Sequence, residues 1–389
     1  MKKSFGLLVA LVFLSQPIFA HDSNFSVGYR DGFYFKTDDG NFLLKLGSRL
    51  NTLYSFGKLE NESNISSFDL KHAKVYFGGH AFNESVQYYA QGALAGHTRT
   101  NNFGLEHEDN IFALEDYYIR GNYGDVALQL GQFKVPFSKQ YMVYSGNLQF
   151  VTRSIASNAF QFGRDRGINL TGKKPWLSYM LGLYNGGSVM QQPRGLGSLN
   201  DAMNTSNDAQ STGFTYLARL SLFPIQPVGY GESDVAFSEQ SKFEIGTSLA
   251  IDQSRDYDTK GDLLADEFDV NTFSVSTDLA YMTKGFSFQG EFYYRYHRYQ
   301  NIATSGAWGA YVQAGYFLTP RTFEIAARYA LVEPDTNVSS DFDQEISATL
   351  NYYLSKDHKR KMQLQYSRIH QADLNKTDHW VHWMMQLTI

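Results

Sequence analysis

The stretch 242–252, KFEIGTSLAID, sorts its side chains by parity. Phe243, Ile245, Thr247, Leu249 and Ile251 fall on one side, and Glu244, Gly246, Ser248 and Asp252 on the other. A period of two belongs to a β-strand, whose successive side chains point to opposite faces. The next segment repeats it, with Phe273, Val275, Leu279 and Tyr281 against Thr272, Ser274, Ser276 and Asp278. Further on, Phe323, Ile325, Ala327 and Tyr329 oppose Glu324 and Arg328, and Ile346, Ala348, Leu350 and Tyr352 oppose Glu345, Ser347, Thr349 and Asn351. Met362, Leu364 and Tyr366 oppose Gln363, Gln365 and Ser367 in the same way. A soluble sandwich buries such apolar faces against a second sheet. A barrel in lipid turns them outward and lines a wet lumen with the polar face.

Working outward from 242, about sixteen such segments run from 41–56 to 378–389, which predicts an all-β transmembrane antiparallel barrel. An even count puts both chain ends on the periplasmic side. Tight turns at 121–124, 172–175, 283–285 and 319–321 alternate with longer polar connections at 57–66, 96–109, 186–212 and 254–268. The stretch 224–241 breaks this alternation as a long periplasmic turn. In the last segment Val381, Trp383, Met385, Leu387 and Ile389 take every second position to the carboxyl terminus, as barrel-assembly signals do, with Ile where Phe or Trp is usual.

The beginning of the chain points to export. Lys2 and Lys3 precede a mainly apolar run from Phe5 to Phe19, which ends at Ala20 before polar His21, Asp22 and Ser23. This is the order of a cleaved signal peptide, and the run is too short to span a bilayer. Residues 1–20 are therefore expected to be the signal, 21–40 a periplasmic N-terminal segment and 41–389 one barrel domain, with no linker dividing it. After the signal no stretch approaches the ~20 apolar residues of a spanning helix. The absence of cysteine removes disulfides, thiol nucleophiles and thiolate metal sites. The 27 Tyr and 30 Phe suit pleated surfaces and interfacial girdles.

The third outward connection, Lys134 to Asp165, is too long for an idle hairpin and too rich in rings (Phe137, Tyr141, Tyr144, Phe150, Phe160, Phe162) to be disordered. Folding into the lumen would bury those rings. Between Val126 and Gly182 seven basic residues (Lys134, Lys139, Arg153, Arg164, Arg166, Lys173 and Lys174) face one acid, Asp165, in a sequence whose net charge is −5. Basic rings in a constriction select anions. The bland alternative is a solvated basic loop, one that could bind lipopolysaccharide. Strand one adds Lys45 and Arg49 on the face opposite Phe42, Leu44 and Leu46, and strand two adds Lys71, His72 and Lys74. Inward acids at Glu244, Asp278, Glu291, Glu324 and Glu345 make the lumen as a whole mixed, so an anion preference has to arise where it is narrow.

Four segments resemble the phosphate-selective porin O and P family: DGFYFKTDDGNFLLKLGSRL (31–50), LEDYYIRGNYGDVALQLGQFKVPFS (114–138), GRDRGINLTGK (163–173) and YMLGLYNGG (179–187). The resemblance implies a sixteen-stranded trimeric outer-membrane barrel with the third loop inside, passing phosphate-like anions, and Arg49 and Lys134 match its motif positions. Where the family's second strand commonly carries adjacent arginines, this chain has Lys71, His72 and Lys74. Lysine lacks the bidentate fork and histidine is largely neutral at pH 7, so the expectation is general anion preference rather than tight phosphate selectivity.

The expected partners are small anions such as phosphate, outer-membrane lipid and lipopolysaccharide, and two further copies of the chain; no nucleic acid or cofactor is expected. An enzyme would need a nucleophile or paired acids beside a base, and no such constellation stands out. Glu106, His107 and Glu108 could hold a metal but read better as an exposed acidic loop. A plugged structural barrel and a porin for sugars or organic anions are the other readings.

Overall fold

The computed structural model describes residues 25–30, 32–94, 99–101, 104–106, 113–186, 214–255, 269–299, 304–338 and 342–389. A hairpin of β1 (Phe25–Tyr29) and β2 (Phe33–Thr37) leads into β3 (Leu43–Lys58), β4 (Ile65–Ala81) and β5 (Val86–Ala93). A small ribbon, β6 (Arg99–Asn101) and β7 (Gly104–Glu106), precedes β8 (Ala113–Tyr123) and β9 (Val126–Lys134). Then come β10 (Arg164–Lys174), β11 (Leu177–Tyr184), β12 (Thr215–Leu222), β13 (Lys242–Arg255), β14 (Asp269–Thr283) and β15 (Phe286–Tyr299). The last five are β16 (Ser305–Thr319), β17 (Phe323–Glu333), β18 (Asp343–Tyr353), β19 (Arg360–Gln371) and β20 (Lys376–Thr388).

In β13 the parity of the sequence is the parity of burial. Ile245, Leu249 and Ile251 are exposed, whereas Glu244, Ser248 and Asp252 are buried. The same inversion of a soluble protein holds in β17 to β20, which is what a sheet closed on itself in lipid requires. Each strand pairs antiparallel with its neighbour, and β20 pairs back onto β3, so sixteen strands close without an edge. At the seam Ser48 and Ile389 exchange backbone hydrogen bonds of 3.0 and 2.9 Å. Closure leaves no open sheet edge, so strand N–H and C=O groups pair within the sheet, the condition for crossing hydrocarbon. The tight turns fall where the sequence puts them: β14 reverses into β15 on Lys284 and Gly285, both at positive φ (46° and 82°), as short hairpins demand.

Residues 135–163 join β9 to β10 through α1 (Lys139–Met142), a 3-10 turn at Ser145–Asn147 and α2 (Ile155–Phe160). Ser138 and Ser154 cap the two short helices, their hydroxyls accepting from Tyr141 N and Ser157 N. Phe137, Ile155, Phe160 and Phe162 pack with Tyr184, Leu217, Tyr293 and Tyr311 into the largest apolar cluster. The segment's backbone is gripped by the buried polar strand face. Glu291 accepts from Lys139 N (2.9 Å) and Gln140 N (3.1 Å), and Glu345 from Ile155 N (2.9 Å). Lys361 donates to Leu148 O (2.7 Å), Arg328 to Thr152 O (2.9 Å) and Arg295 to Phe160 O (2.7 Å).

The turn 224–241, which breaks the alternation of loop lengths, reaches the same segment. Buried Glu232 accepts from Gln140 Nε2 (2.9 Å) and Gln149 N (2.7 Å), and Ser233 donates to Glu324 (3.0 Å). Asp234 folds the turn back on itself through Ser238 and ties it to Gly285 N (2.8 Å). Its length buys a tether to the third connection, which a tight hairpin turn could not supply.

Candidate functional site

Two bulges prepare the site. Asn51 pairs with His72 and Thr52 with Leu70, leaving Lys71 as the extra residue in β4. A bulge shifts the alternation by one residue and re-aims side chains. Above it Phe68 and Leu70 are exposed to the outside; below it Lys74 is buried and Tyr76 half-buried, so Lys71 and His72 both face inward. Likewise Gln91 pairs with Asp116 and Gly92 with Leu114, so Glu115 and Asp116 both turn to the polar side of β8.

The third connection meets these strands with its own cations. Lys134 Nζ donates to Tyr141 O (2.8 Å) and Val143 O (2.9 Å), and Arg153 Nη2 donates to the same Val143 O (2.9 Å). Both cations lie over the Tyr141 ring, 5.0 and 5.1 Å from its centroid. Lys71 Nζ donates to Val151 O of the same segment. These three have no carboxylate partner among the described residues, and each keeps part of its surface open. Arg49 also lacks an acid among the described residues, donating to Ser145 Oγ (2.7 Å) and lying 4.2 Å from the Tyr144 ring centroid. It is 1% exposed, and its Nε and Nη1 find no protein acceptor. Burial pulls the Arg153 guanidinium below its usual range, and pushes the Tyr141 and Tyr144 phenols above theirs, keeping both hydroxyls neutral.

The remaining candidates separate by partner. Lys74 is buried against Glu115 (2.5 Å), and Lys139 against Glu244 (2.8 Å), so neither charge is offered to a solute. Arg164 pairs with Asp116 (2.9 Å) but stays 23% exposed. Lys45 is half-buried on the inward side of β3, toward the end that carries the β1–β2 hairpin. Arg166 is a correction. Buried Asn169 fixes the inward parity of β10, which puts Arg166 with Leu130 and Ile168 on the outer face, where it is exposed and donates to Gln132 Oε1 (3.4 Å). Lys173 and Lys174 are exposed at a tight turn, Lys174 paired with Asp125, so they too lie away from the cluster. The basic window 126–182 is thus a cluster on the inward side and a scatter outside it. The triplet Glu106, His107 and Glu108 lies outside the residues whose side chains are described.

The inward acids have other employment. Asp278 binds Arg219 (2.7 Å), Glu345 binds Arg328 (2.5 Å), Glu291 caps α1 and Glu324 accepts from Gln149 Nε2 (2.7 Å) and Asn351 Nδ2 (2.9 Å). These acids are therefore held by arginines of β12 and β17, by the third connection and by the turn, while Lys71, Lys134, Arg153 and Arg49 have no carboxylate partner among the described residues. Sequence reasoning missed Lys361, which follows by parity from Gln363 and Gln365, and the tethering role of Glu232, which no local pattern announces.

The profile of the phosphate-selective porin O and P family matches residues 45–389, nearly the whole barrel. The chain belongs to this family. Solved structures agree on the fold. An anion-selective porin from Comamonas acidovorans superposes with a TM-score of 0.61 at 9% identity, over 89% of this chain and 99% of that one. A loop-deletion mutant of OmpT, an outer membrane protein of Vibrio cholerae, gives 0.58 at 9% identity over 89% and 99%. The outer membrane channel DcaP of Acinetobacter baumannii gives 0.55 at 10% identity over 91% and 99%. No curated protein matches the sequence. As a member of the porin O and P family with a closed sixteen-stranded barrel, the protein is a porin of the bacterial outer membrane. Family and fold point to a channel rather than an enzyme.

Proposed function

We propose that the protein passes small anions, with residues 135–163 folded into the bore as its constriction. The observation that carries the reading is the pair Lys134 and Arg153. Two cations converge on one carbonyl with no carboxylate in salt-bridge contact among the described residues, and Lys71 approaches the same segment. Like charges held together cost free energy that an entering anion relieves, and the low-dielectric wall focuses their field. The pairing of acids elsewhere supports a passage whose open charge is positive. Of the acids around them, Glu115 and Asp116 are taken up by Lys74 and Arg164, and Glu232 accepts from Gln140 and Gln149.

Lysines supply point charges rather than planar forks. Phosphate accordingly enters as one anion among others, not as a tightly selected substrate. The reading includes removal of residues 1–20 as a signal, a periplasmic position for residues 21–40 and assembly of three copies, as a trimeric form of the OmpT neighbour suggests. Exposed Arg166 fits contact with lipopolysaccharide phosphates at the outer surface.

The test is a Lys71→Gln, Lys134→Gln and Arg153→Gln variant in planar bilayers. Loss of anion preference with conductance retained is expected. Unchanged selectivity would place the selecting charges elsewhere.

A further inference from the structure

Next to the open cations the inward wall carries a belt of aromatic rings that anion selection does not use. Tyr76 on β4, Tyr89 on β5 and Tyr118 on β8 follow one another with ring centroids 6.3 and 5.6 Å apart and interplanar angles of 27° and 31°. The belt continues through Phe133 (6.1 Å) to Tyr184 (5.8 Å). Phe133 and Tyr184 are buried beneath the third connection, whereas the three tyrosines are only partly covered. The belt therefore passes out from under that segment and stays open where a solute would travel.

Two features hold these rings face-on. Tyr76 pairs across the strands with Gly47, and Tyr89 with Gly78. A Cβ at Gly47 would lie 2.4 Å from the Tyr76 ring, and one at Gly78 2.9 Å from the Tyr89 ring. Each ring leans over its glycine along the wall instead of standing up into the bore. The hydroxyls are tethered, Tyr76 to Ile389 O (3.2 Å) and Tyr89 to Gln91 Oε1 (2.9 Å), which leaves the ring faces as the free surface. Covering a strand glycine with an aromatic ring stabilises a sheet, but that does not require two successive strands to do so side by side, with a third tyrosine next to them, beside unpaired charge.

Level matters too. Arg49 pairs with Lys74, two residues from Tyr76 on the same inward face, so the belt lies one step further along the wall than Arg49. Tyr144, stacked on Arg49, brings a fourth ring to the same junction.

We infer that the preferred solute carries an anionic group on a flat, carbon-rich body: an aromatic carboxylate. Its carboxylate meets Lys71, Lys134 and Arg153 while its ring lies on the tyrosine faces. A phosphate would leave the rings unused, and a neutral sugar would leave the cations unmatched. This inference rests on the anion-passing reading above and adds the class of anion.

Benzoate and acetate share a carboxylate and differ in the ring. In planar bilayers with chloride carrying the current, benzoate is expected to half-block at about threefold to tenfold lower concentration than acetate or phosphate, the range an aromatic contact provides. The double variant Tyr76→Leu with Tyr89→Leu should raise the benzoate value to that of acetate, with acetate block and potassium–chloride selectivity unchanged. Tyr89→Phe, which keeps the ring, should behave as wild type. Equal block by benzoate and acetate in the wild type, stronger block by phosphate, or benzoate block that survives in the leucine variant would overturn the inference. Cation preference in potassium chloride alone would instead remove the reading on which it rests.

Discussion

Lys134 and Arg153 share the Val143 carbonyl and the Tyr141 ring, and that sharing fixes how far apart two unpaired charges can be. A unit charge about 8 Å from a passing ion acts with ~2 kcal/mol at an effective dielectric of ~20. Screening reduces this, so Lys134→Gln alone should lower the anion-to-cation permeability ratio by roughly fivefold in dilute salt. Arg166→Gln should leave the ratio unchanged, since that side chain lies on the outer face; reversal potentials of both variants check the pair. At this scale the sequence was partly legible. Strand parity pointed to Arg49, residue type to Lys71 and the basic window to Lys134, but the same window also swept in Arg166, Lys173 and Lys174. Which cations are spent on acids, as Lys74 and Lys139 are, depends on Glu115 and Glu244, partners that are 41 and 105 positions away in sequence and that no local pattern connects.

Among the elements, the third connection is held by charge as much as by its aromatic core. Glu291 accepts two backbone N–H groups at the start of α1, and Glu345 one at the start of α2, the ends of the helices where N–H groups lack partners. Glu291→Gln keeps the shape and removes the charge, and should cost about 1–3 kcal/mol. The expected signs are a lower unfolding temperature and noisier single-channel current; a quiet channel of full stability would show that the apolar cluster alone holds the segment. Glu232→Ala separates the turn 224–241 from Gln140 and Gln149, and should raise current noise in the same way with the barrel intact. The length of both segments was visible in the sequence, and so was the burial expected of the rings. The mutual contact was not, because it is made by Glu232 and Lys139 across 83 to 92 positions. The bulge at Lys71 was less plain: the period of two holds on both sides and only its phase shifts, from outward Phe68 and Leu70 to outward Val75 and Phe77.

For the whole molecule, the sixteen-strand count and the reversal of greasy and polar faces came directly from the period of two. That period is the one physical constraint a lipid-facing sheet cannot relax. The distribution of charge inside did not come with it. Acids and bases alternate along the inward faces of β13 to β18 and read as a mixed lumen, yet in the folded chain Asp278 and Glu345 pair with Arg219 and Arg328, Glu291 and Glu324 bind neutral groups, and positive charge without a carboxylate partner among the described residues is left around β3, β4 and the third connection. A field of that origin is screened over ~10 Å at 0.1 M salt and ~3 Å at 1 M. Selectivity should therefore fall as salt rises, whereas a channel that sorts by size alone would keep its ratio. The most direct test of the cationic passage is the zero-current potential of the purified wild-type protein in a planar bilayer across a tenfold potassium chloride gradient at low ionic strength. The account expects the sign set by chloride; a potential of the sign set by potassium would contradict it.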